Sequence, residues 1–83
     1  MENAGTVTIK VGPELTLNAS ASFETIGAER ILIRTPSSGI ENLVSKESEC
    51  VISRPNHRKM KISLSRIFSE NGCLFLEGWN CNH

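Results

Sequence analysis

The C-terminal part of the chain contains two apolar segments that meet at Asn71-Gly72. Residues 60–69 alternate apolar and polar side chains, and residues 73–82 supply a second apolar run. Asn-Gly between two such segments is the strongest short-range signal for a β-hairpin, because both central residues of a type I′ turn need positive φ angles. The sequence therefore predicts that residues 60–69 pair with residues 73–82 around a two-residue turn.

A two-residue turn also fixes which residues lie opposite one another. The predicted pairs are Glu70–Cys73, Phe68–Phe75, Arg66–Glu77, Leu64–Trp79 and Ile62–Cys81. Directly opposed residues share one face of a sheet, so the apolar members of these pairs, together with Met60, form a single face. We expect this face to belong to the core, with Trp79 buried. If the Arg66–Glu77 pair lies at a rim instead, the exposed part of this face has the composition of a protein–protein hot spot.

Alternation predicts a second hairpin at the N-terminal end of the chain, formed by residues 6–11 and 14–24. A two-residue loop would place apolar side chains opposite polar ones. A three-residue loop over residues 12–14 instead pairs apolar with apolar, and a one-residue slip would reverse every side chain. The favoured register is Val11 opposite Leu15, Ile9 opposite Leu17, and Val7 opposite Ala19.

Between the two hairpins the sequence predicts two short strands and one helix. Residues 30–34 and 50–53 are compact apolar runs that are typical of strands. Within residues 39–47 the apolar positions change to helical spacing, and Ser38 with Glu41 matches a capping box ahead of them. The order β-β-β-α-β-β-β predicts a mainly β (α+β) fold, either a small antiparallel sheet packed on the helix or a partly open barrel of six strands.

Length and composition limit what such a fold can do. The 83 residues predict a single domain over residues 1–83, close to the smallest size that buries its own core. Formal net charge is zero, but residues 1–53 hold seven Glu against four Lys and Arg, whereas residues 54–83 hold two Glu against five. These halves carry −3 and +3. A protein without a global positive field lacks the usual charge signature of nucleic-acid binding.

Several catalytic and metal-binding arrangements are excluded or unsupported. The chain has no Asp, so an aspartate-based triad is ruled out, and it has no glycine-rich phosphate loop. The potential metal ligands lack the close Cys–Cys or His–His spacing of structural zinc sites; they are Cys50, His57, Cys73, Cys81 and His83. The sequence therefore predicts no enzymatic activity, no cofactor and no metal.

The termini and the cysteines indicate a cytoplasmic protein. The first residues show neither the basic nor the apolar part of a signal peptide. No apolar run approaches the roughly 20 residues that span a bilayer, so no membrane association is expected. Three cysteines without a secretion signal are read as reduced thiols.

The sharpest candidate site is a basic segment over residues 54–61. It contains four of the nine Lys and Arg residues, and the predicted partner-binding residues are Arg54, His57, Arg58, Lys59 and Lys61. Clustered guanidinium and ammonium groups bind phosphates or acidic protein surfaces through charge-assisted hydrogen bonds. The alternative interpretation is a solvated turn whose charges keep an edge hairpin from pairing with other chains.

By elimination, the leading hypothesis is a small binding module that regulates or inhibits a larger protein or nucleoprotein assembly with an acidic or phosphate-bearing surface. Inhibitors of host machinery encoded by phages and other mobile elements are one such class. The second hypothesis is RNA or single-stranded DNA binding through residues 54–61, although the predicted burial of three of the four aromatic residues disfavours a base-stacking surface. The third is a homo-oligomer formed by edge-strand pairing of residues 14–24.

Overall fold

The structure is a computed structural model that describes residues 4–27, 29–37, 39 and 42–81. It contains six strands: β1 (Ala4–Lys10), β2 (Thr16–Thr25), β3 (Arg30–Pro36), β4 (Glu49–Ser53), β5 (Met60–Glu70) and β6 (Cys73–Asn80). Neighbouring strands are antiparallel, and the order β1-β2-β3-β6-β5-β4 closes into a barrel because β4 also pairs with β1. The mainly β fold expected from the sequence is confirmed, and the barrel is closed rather than partly open.

The β1–β2 hairpin has the predicted register. Ile9 lies opposite Leu17 and Val7 lies opposite Ala19. The Val11 amide donates to the Leu15 carbonyl at 3.0 Å, which closes the odd-length loop. The apolar positions of both strands thus point into the barrel, as the alternation requires.

The β5–β6 hairpin follows the predicted register only near its turn. Asn71 and Gly72 have φ angles of 53° and 78°, as a type I′ turn demands. The pairs Glu70–Cys73, Phe68–Phe75 and Arg66–Glu77 all form. A β-bulge between Leu64 and Arg66 then shifts the ladder by one residue.

Beyond this bulge the predicted pairs Leu64–Trp79 and Ile62–Cys81 are wrong. Leu64 lies opposite Gly78, and Ile62 lies opposite Asn80. The prediction of a buried Trp79 is also wrong, because its side chain lies on the outer surface and the residue is 47% exposed. The predicted single apolar face is divided: Ile62 and Leu64 point inward, whereas Phe68, Phe75 and Trp79 point outward.

The backbone of β5 explains why glycine rather than tryptophan occupies the inner position of β6. A Cβ atom on Gly78 would lie 2.3 Å from the Ser63 carbonyl oxygen and 2.7 Å from Ile62 Cγ2. No side chain fits at that separation without moving the strands. The barrel interior is instead filled by aliphatic side chains from all six strands; those under 2% exposed are Val7, Ile9, Ile33, Ile52, Leu74 and Leu76.

The predicted helix over residues 39–47 is wrong for the part of this segment that the structure describes. Residues 42–48 form a series of short turns, and the Ser45 hydroxyl accepts from the Glu47 amide at 3.3 Å. Only Val44 reaches the core, while Leu43 is 48% exposed, so these two residues do not form a buried helical stripe. The predicted capping residues Ser38 and Glu41 lie outside the described residues. No helix in the described ranges has the length and apolar character needed to cross a membrane.

Candidate functional site

The basic segment forms the connection between β4 and β5 at one end of the barrel. Asn56 has a φ angle of 65°, and the His57 amide donates to the Arg54 carbonyl at 3.2 Å, so the chain turns tightly here. This turn places His57, Arg58 and Lys59 together on an exposed tip. The structure therefore brings together the middle three of the five predicted partner-binding residues.

The outer two predicted residues make contacts within the protein. The Arg54 guanidinium lies 5.8 Å from the centre of the Phe23 ring, so this side chain is half-buried against the barrel. The Lys61 ammonium lies 3.5 Å from Glu49 Oε2, a carboxylate oxygen of the neighbouring strand. Binding of a partner by the basic segment stays a prediction.

A second surface combines side chains that the sequence scatters over 50 residues. β3 pairs with β6 so that Arg30 lies opposite Trp79 and Arg34 lies opposite Phe75, and β5 adds its outward residues on the far side of β6. We call this surface the arginine–aromatic face; its members are Arg30, Leu32, Arg34, Arg66, Phe68, Phe75, Glu77 and Trp79.

Glu77 occupies the middle of the arginine–aromatic face and is 6% exposed. Its Oε2 accepts a charge-assisted hydrogen bond from Arg30 Nη2, and its Oε1 lies 3.6 Å from Arg66 Nη1. A nearly buried carboxylate requires such partners. With Arg34, the face carries three positive charges and one negative charge, a formal excess of +2.

The aromatic rings of this face are held in place by neighbouring side chains. Phe68 and Phe75 stack with ring centroids 4.9 Å apart and planes inclined by 5°. The Arg66 guanidinium lies 4.6 Å from the Phe68 centroid, and that of Arg30 lies 5.0 Å from the Trp79 ring. Phe68 thus contacts both a phenyl ring and a guanidinium group. These contacts restrain the rings.

An open groove of about 400 Å³ extends the arginine–aromatic face toward β2. A depression of about 250 Å³ continues it at the point where the β2–β3 pairing ends with Ser22 and Arg34. Arg34 lines both the groove and the depression. Its exposed guanidinium therefore lies between the aromatic rings and the depression, which has both polar and apolar residues in its lining. The groove is lined by Ser22, Phe23, Glu24, Leu32, Arg34 and Phe75.

The three cysteines are free and occupy different environments. Cys50 is buried between β1 and β5, and this burial raises the pKa of its thiol from 9.0 to about 12. Such a thiol has almost no nucleophilic thiolate at neutral pH. Cys73 is half-buried and Cys81 is exposed. Among the described residues, no three His, Cys or Glu side chains are grouped so that they could hold a metal ion.

The arginine–aromatic face was not recognised from the sequence. Its local signal is the run Arg30-Ile-Leu-Ile-Arg34, whose alternation places both arginines and Leu32 on one side of a strand. This run is interpretable as an outward-facing basic stripe only once its neighbour is known to be β6. Comparisons with protein-family models, curated protein sequences and solved structures give no match for this chain.

Proposed function

We propose that this protein is a small, non-enzymatic binding module that recognises a protein partner through the arginine–aromatic face and so regulates or inhibits a larger assembly. The observation that carries this proposal is the position of Trp79. A barrel of 83 residues keeps its only tryptophan about half exposed, although burial of that indole would add substantially to a small core. An exposed tryptophan with an arginine over its ring, on a face that also carries two phenylalanines, has the residue pattern of interface hot spots.

The internal contacts of the face support binding without a large ordering cost. Arg66, Phe68 and Phe75 are already stacked on one another, and Arg30 is already tied to Glu77. Side chains that are fixed before association lose less conformational entropy when the partner arrives. The face is therefore suited to recognition by a preformed surface.

The positive charge of the arginine–aromatic face favours a partner whose surface is acidic or carries phosphate groups. The face has a formal excess of +2, and the basic segment borders it because Lys61 lies two residues before Ser63, which pairs with Trp79. Attraction between opposite charges increases the association rate more than the final affinity. In this proposal the exposed tip at His57, Arg58 and Lys59 steers the partner, and the arginine–aromatic face holds it.

A protein partner is favoured over a single-stranded nucleic acid because of the contacts that the aromatic rings already make within the protein. Bases bind by stacking on free aromatic faces. Phe68 already contacts Phe75 and Arg66 within the protein, and Arg30 covers one face of Trp79. Glu77 lies beside two of the three arginines of the face, so few phosphates would be neutralised and little counterion would be released on binding a phosphate backbone.

Affinity capture from the native host, after nuclease treatment, tests this proposal. We expect wild-type protein to retain a defined protein partner, and Arg34→Glu and Trp79→Ala to lose it. Lys46→Glu is the matched control, since it makes the same charge change as Arg34→Glu at an exposed turn away from the face. The double variant Arg58→Glu/Lys59→Glu should bind more slowly, with a weaker salt dependence of the association rate than wild type.

Two results would contradict the proposal. Equal capture by Arg34→Glu, Trp79→Ala and Lys46→Glu would show that the face is not the binding surface. Loss of the captured protein after nuclease treatment, together with steep salt-dependent binding of a labelled single-stranded oligonucleotide, would identify a nucleic acid as the ligand.

A further inference from the structure

One strand of the closed barrel has a long unpaired edge. β4 pairs with β5 only at residues 60–62, so residues 63–70 pair with β6 alone. Among the described residues, no backbone hydrogen bond from a loop reaches this stretch. Ser65, Arg66, Ser69 and Glu70 are all exposed. Within the described residues, the distal part of β5 therefore has no strand partner on the side away from β6, and its backbone donors and acceptors there are a template for another strand.

The hairpin turn determines which of these groups are free. In a hairpin with a two-residue turn, the residues that flank the turn exchange both hydrogen bonds, and bonded and non-bonded pairs then alternate. Glu70, Phe68 and Arg66 consequently direct their backbone groups toward β6. Ile67 and Ser69 direct theirs away from it, toward solvent. An added strand must bond to these two residues.

We propose that β5 pairs antiparallel with β5 of a second copy of this chain, about a two-fold axis that passes beside Phe68. In this register Phe68 lies opposite the second copy's Phe68. Arg66 lies opposite Glu70 of the second copy, and this ion pair occurs twice. Ile67 lies opposite Ser69, so both residues with free backbone groups form hydrogen-bonded pairs. Directly opposed residues share a face, so the two Arg–Glu pairs and the aromatic pair all lie outward.

Neighbouring symmetric registers lack this complementarity. An axis at Ile67 places Arg66 opposite Phe68 and leaves Glu70 opposite the apolar Leu64. An axis at Ser69 places Phe68 opposite Glu70. If the axis passes between two consecutive residues, each residue whose backbone groups point away from β6 lies opposite a residue whose groups point toward β6. No ladder of hydrogen bonds can form in that arrangement. Among these, only the register centred on Phe68 pairs opposite charges and places Phe68 opposite Phe68 of the second copy.

Charged residues on an edge strand commonly prevent pairing, because like charges meet when identical edges approach. Here the charges have opposite sign and are spaced symmetrically about Phe68, so the same geometry attracts. The bulge between Leu64 and Arg66 limits the ladder to residues 66–70. This short ladder makes the dimer dependent on concentration, and it aligns two arginine–aromatic faces side by side.

Sedimentation velocity over a range of protein concentrations tests the proposal. We expect wild type to shift toward twice the monomer mass as concentration rises. Glu70→Arg and Arg66→Glu should each remain monomeric, because each brings like charges together twice. An equimolar mixture of these two variants should form a dimer again, since every pair across the axis then joins Arg with Glu.

The controls separate pairing from folding. Glu47→Arg makes the same charge change as Glu70→Arg on an exposed turn and should dimerise like wild type. Arg66 also contacts Glu77, so Glu70→Arg decides the matter if Arg66→Glu does not fold by circular dichroism. The Ser69 N–H points away from β6 and makes no bond to it. Ser69→Pro removes this donor and should therefore abolish the dimer.

A wild-type protein that stays monomeric at all concentrations would overturn the proposal. So would a dimer that is unaffected by Glu70→Arg, or folded single variants whose mixture stays monomeric. Sedimentation velocity measures the mass of the protein and not its binding to another partner. The outcome is therefore independent of the proposed function.

Discussion

The two hairpins of the barrel use their outer faces differently. Outside β1–β2 lie small polar or charged side chains such as Thr8, Asn18 and Ser20, and Thr8 donates a hydrogen bond to Asn18 at 2.7 Å. Outside β5–β6 lie three of the four aromatic residues of the chain. The first hairpin is thus amphipathic in the ordinary way for a barrel, whereas the second has large apolar side chains on both faces. A strand pair that needs only to complete a core has no reason for the second arrangement, which is why we propose this surface as the site of recognition.

The interiors of the two hairpins differ as well. In β1–β2 the inner positions are filled by Val7, Ile9, Ala21 and Phe23. In β6 the inner position next to Trp79 is Gly78, over which the backbone of β5 passes too closely for a side chain. The close approach of two strands at Gly78 and the outward position of Trp79 therefore belong to one local arrangement.

The largest predicted effect concerns the reactivity of the Cys50 thiol in β4, the strand that joins the two hairpins. Cys50 lies opposite Ile9 of the first hairpin and Ile62 of the second. A pKa near 12 instead of 9.0 lowers its thiolate fraction about a thousandfold at neutral pH. We expect iodoacetamide at pH 8 to label the exposed Cys81 much faster than the buried Cys50, as followed by mass spectrometry. In strong denaturant both thiols should react alike. Comparable native rates would mean that the two hairpins separate readily along β4.

The inner and outer faces of β6 should differ strongly in their contribution to stability. Leu76 is fully buried, and Leu76→Ala should lower the free energy of unfolding by about 2–5 kcal/mol. Trp79→Ala should lower it by about 1 kcal/mol or less, since the residue is about half exposed on the outer surface and surface changes have small effects. Urea denaturation of both variants measures the difference. Equal losses would place Trp79 in the core and remove the contrast between the hairpins.

The smallest effects should distinguish two glycines. Gly78→Ala forces a methyl group against the Ser63 carbonyl and should cost roughly 1–3 kcal/mol. Gly12→Ala, in the loop of the first hairpin, meets no atom within 4 Å and should change stability by less than about 0.5 kcal/mol. Thermal unfolding of both variants is a sufficient measurement. If Gly78→Ala is as stable as Gly12→Ala, the shifted register beyond the bulge is incorrect.

Prediction from the sequence succeeded where alternation and turn chemistry agree. Both turns and the register on either side of them follow from local residues. The bulge coincides with a break in the alternation, because Ser65-Arg66 are two consecutive polar residues and Ile67-Phe68 are two consecutive apolar ones. Strict alternation was assumed through this break, so Trp79 was predicted to face the core instead of the outer surface.

Only part of the candidate site could be predicted from the sequence, for a different reason. The exposed tip of the basic segment is contiguous in sequence and was found. The arginine–aromatic face depends on β3 lying beside β6, and the strand order of a barrel is not encoded in any short window. Arg30 and Arg34 therefore looked like the ends of an ordinary strand. The turns of residues 42–48 were mistaken for helix because helical spacing over so few residues is weak evidence without burial.

Closure of the barrel through β1–β4 and β3–β6 also has a consequence for the order of folding. The hairpins join residues that are close in the chain, and isolated hairpins form within microseconds. The closing ladders join residues such as Arg30 and Trp79, and contacts between distant residues are slow to form because long loops must be ordered first. On this basis we expect Arg30 and Arg34 to reach Trp79 and Phe75 only in that late step. We therefore expect a partly folded chain to possess both hairpins before the arginine–aromatic face exists. The binding proposed for this face would then appear together with the final cooperative transition.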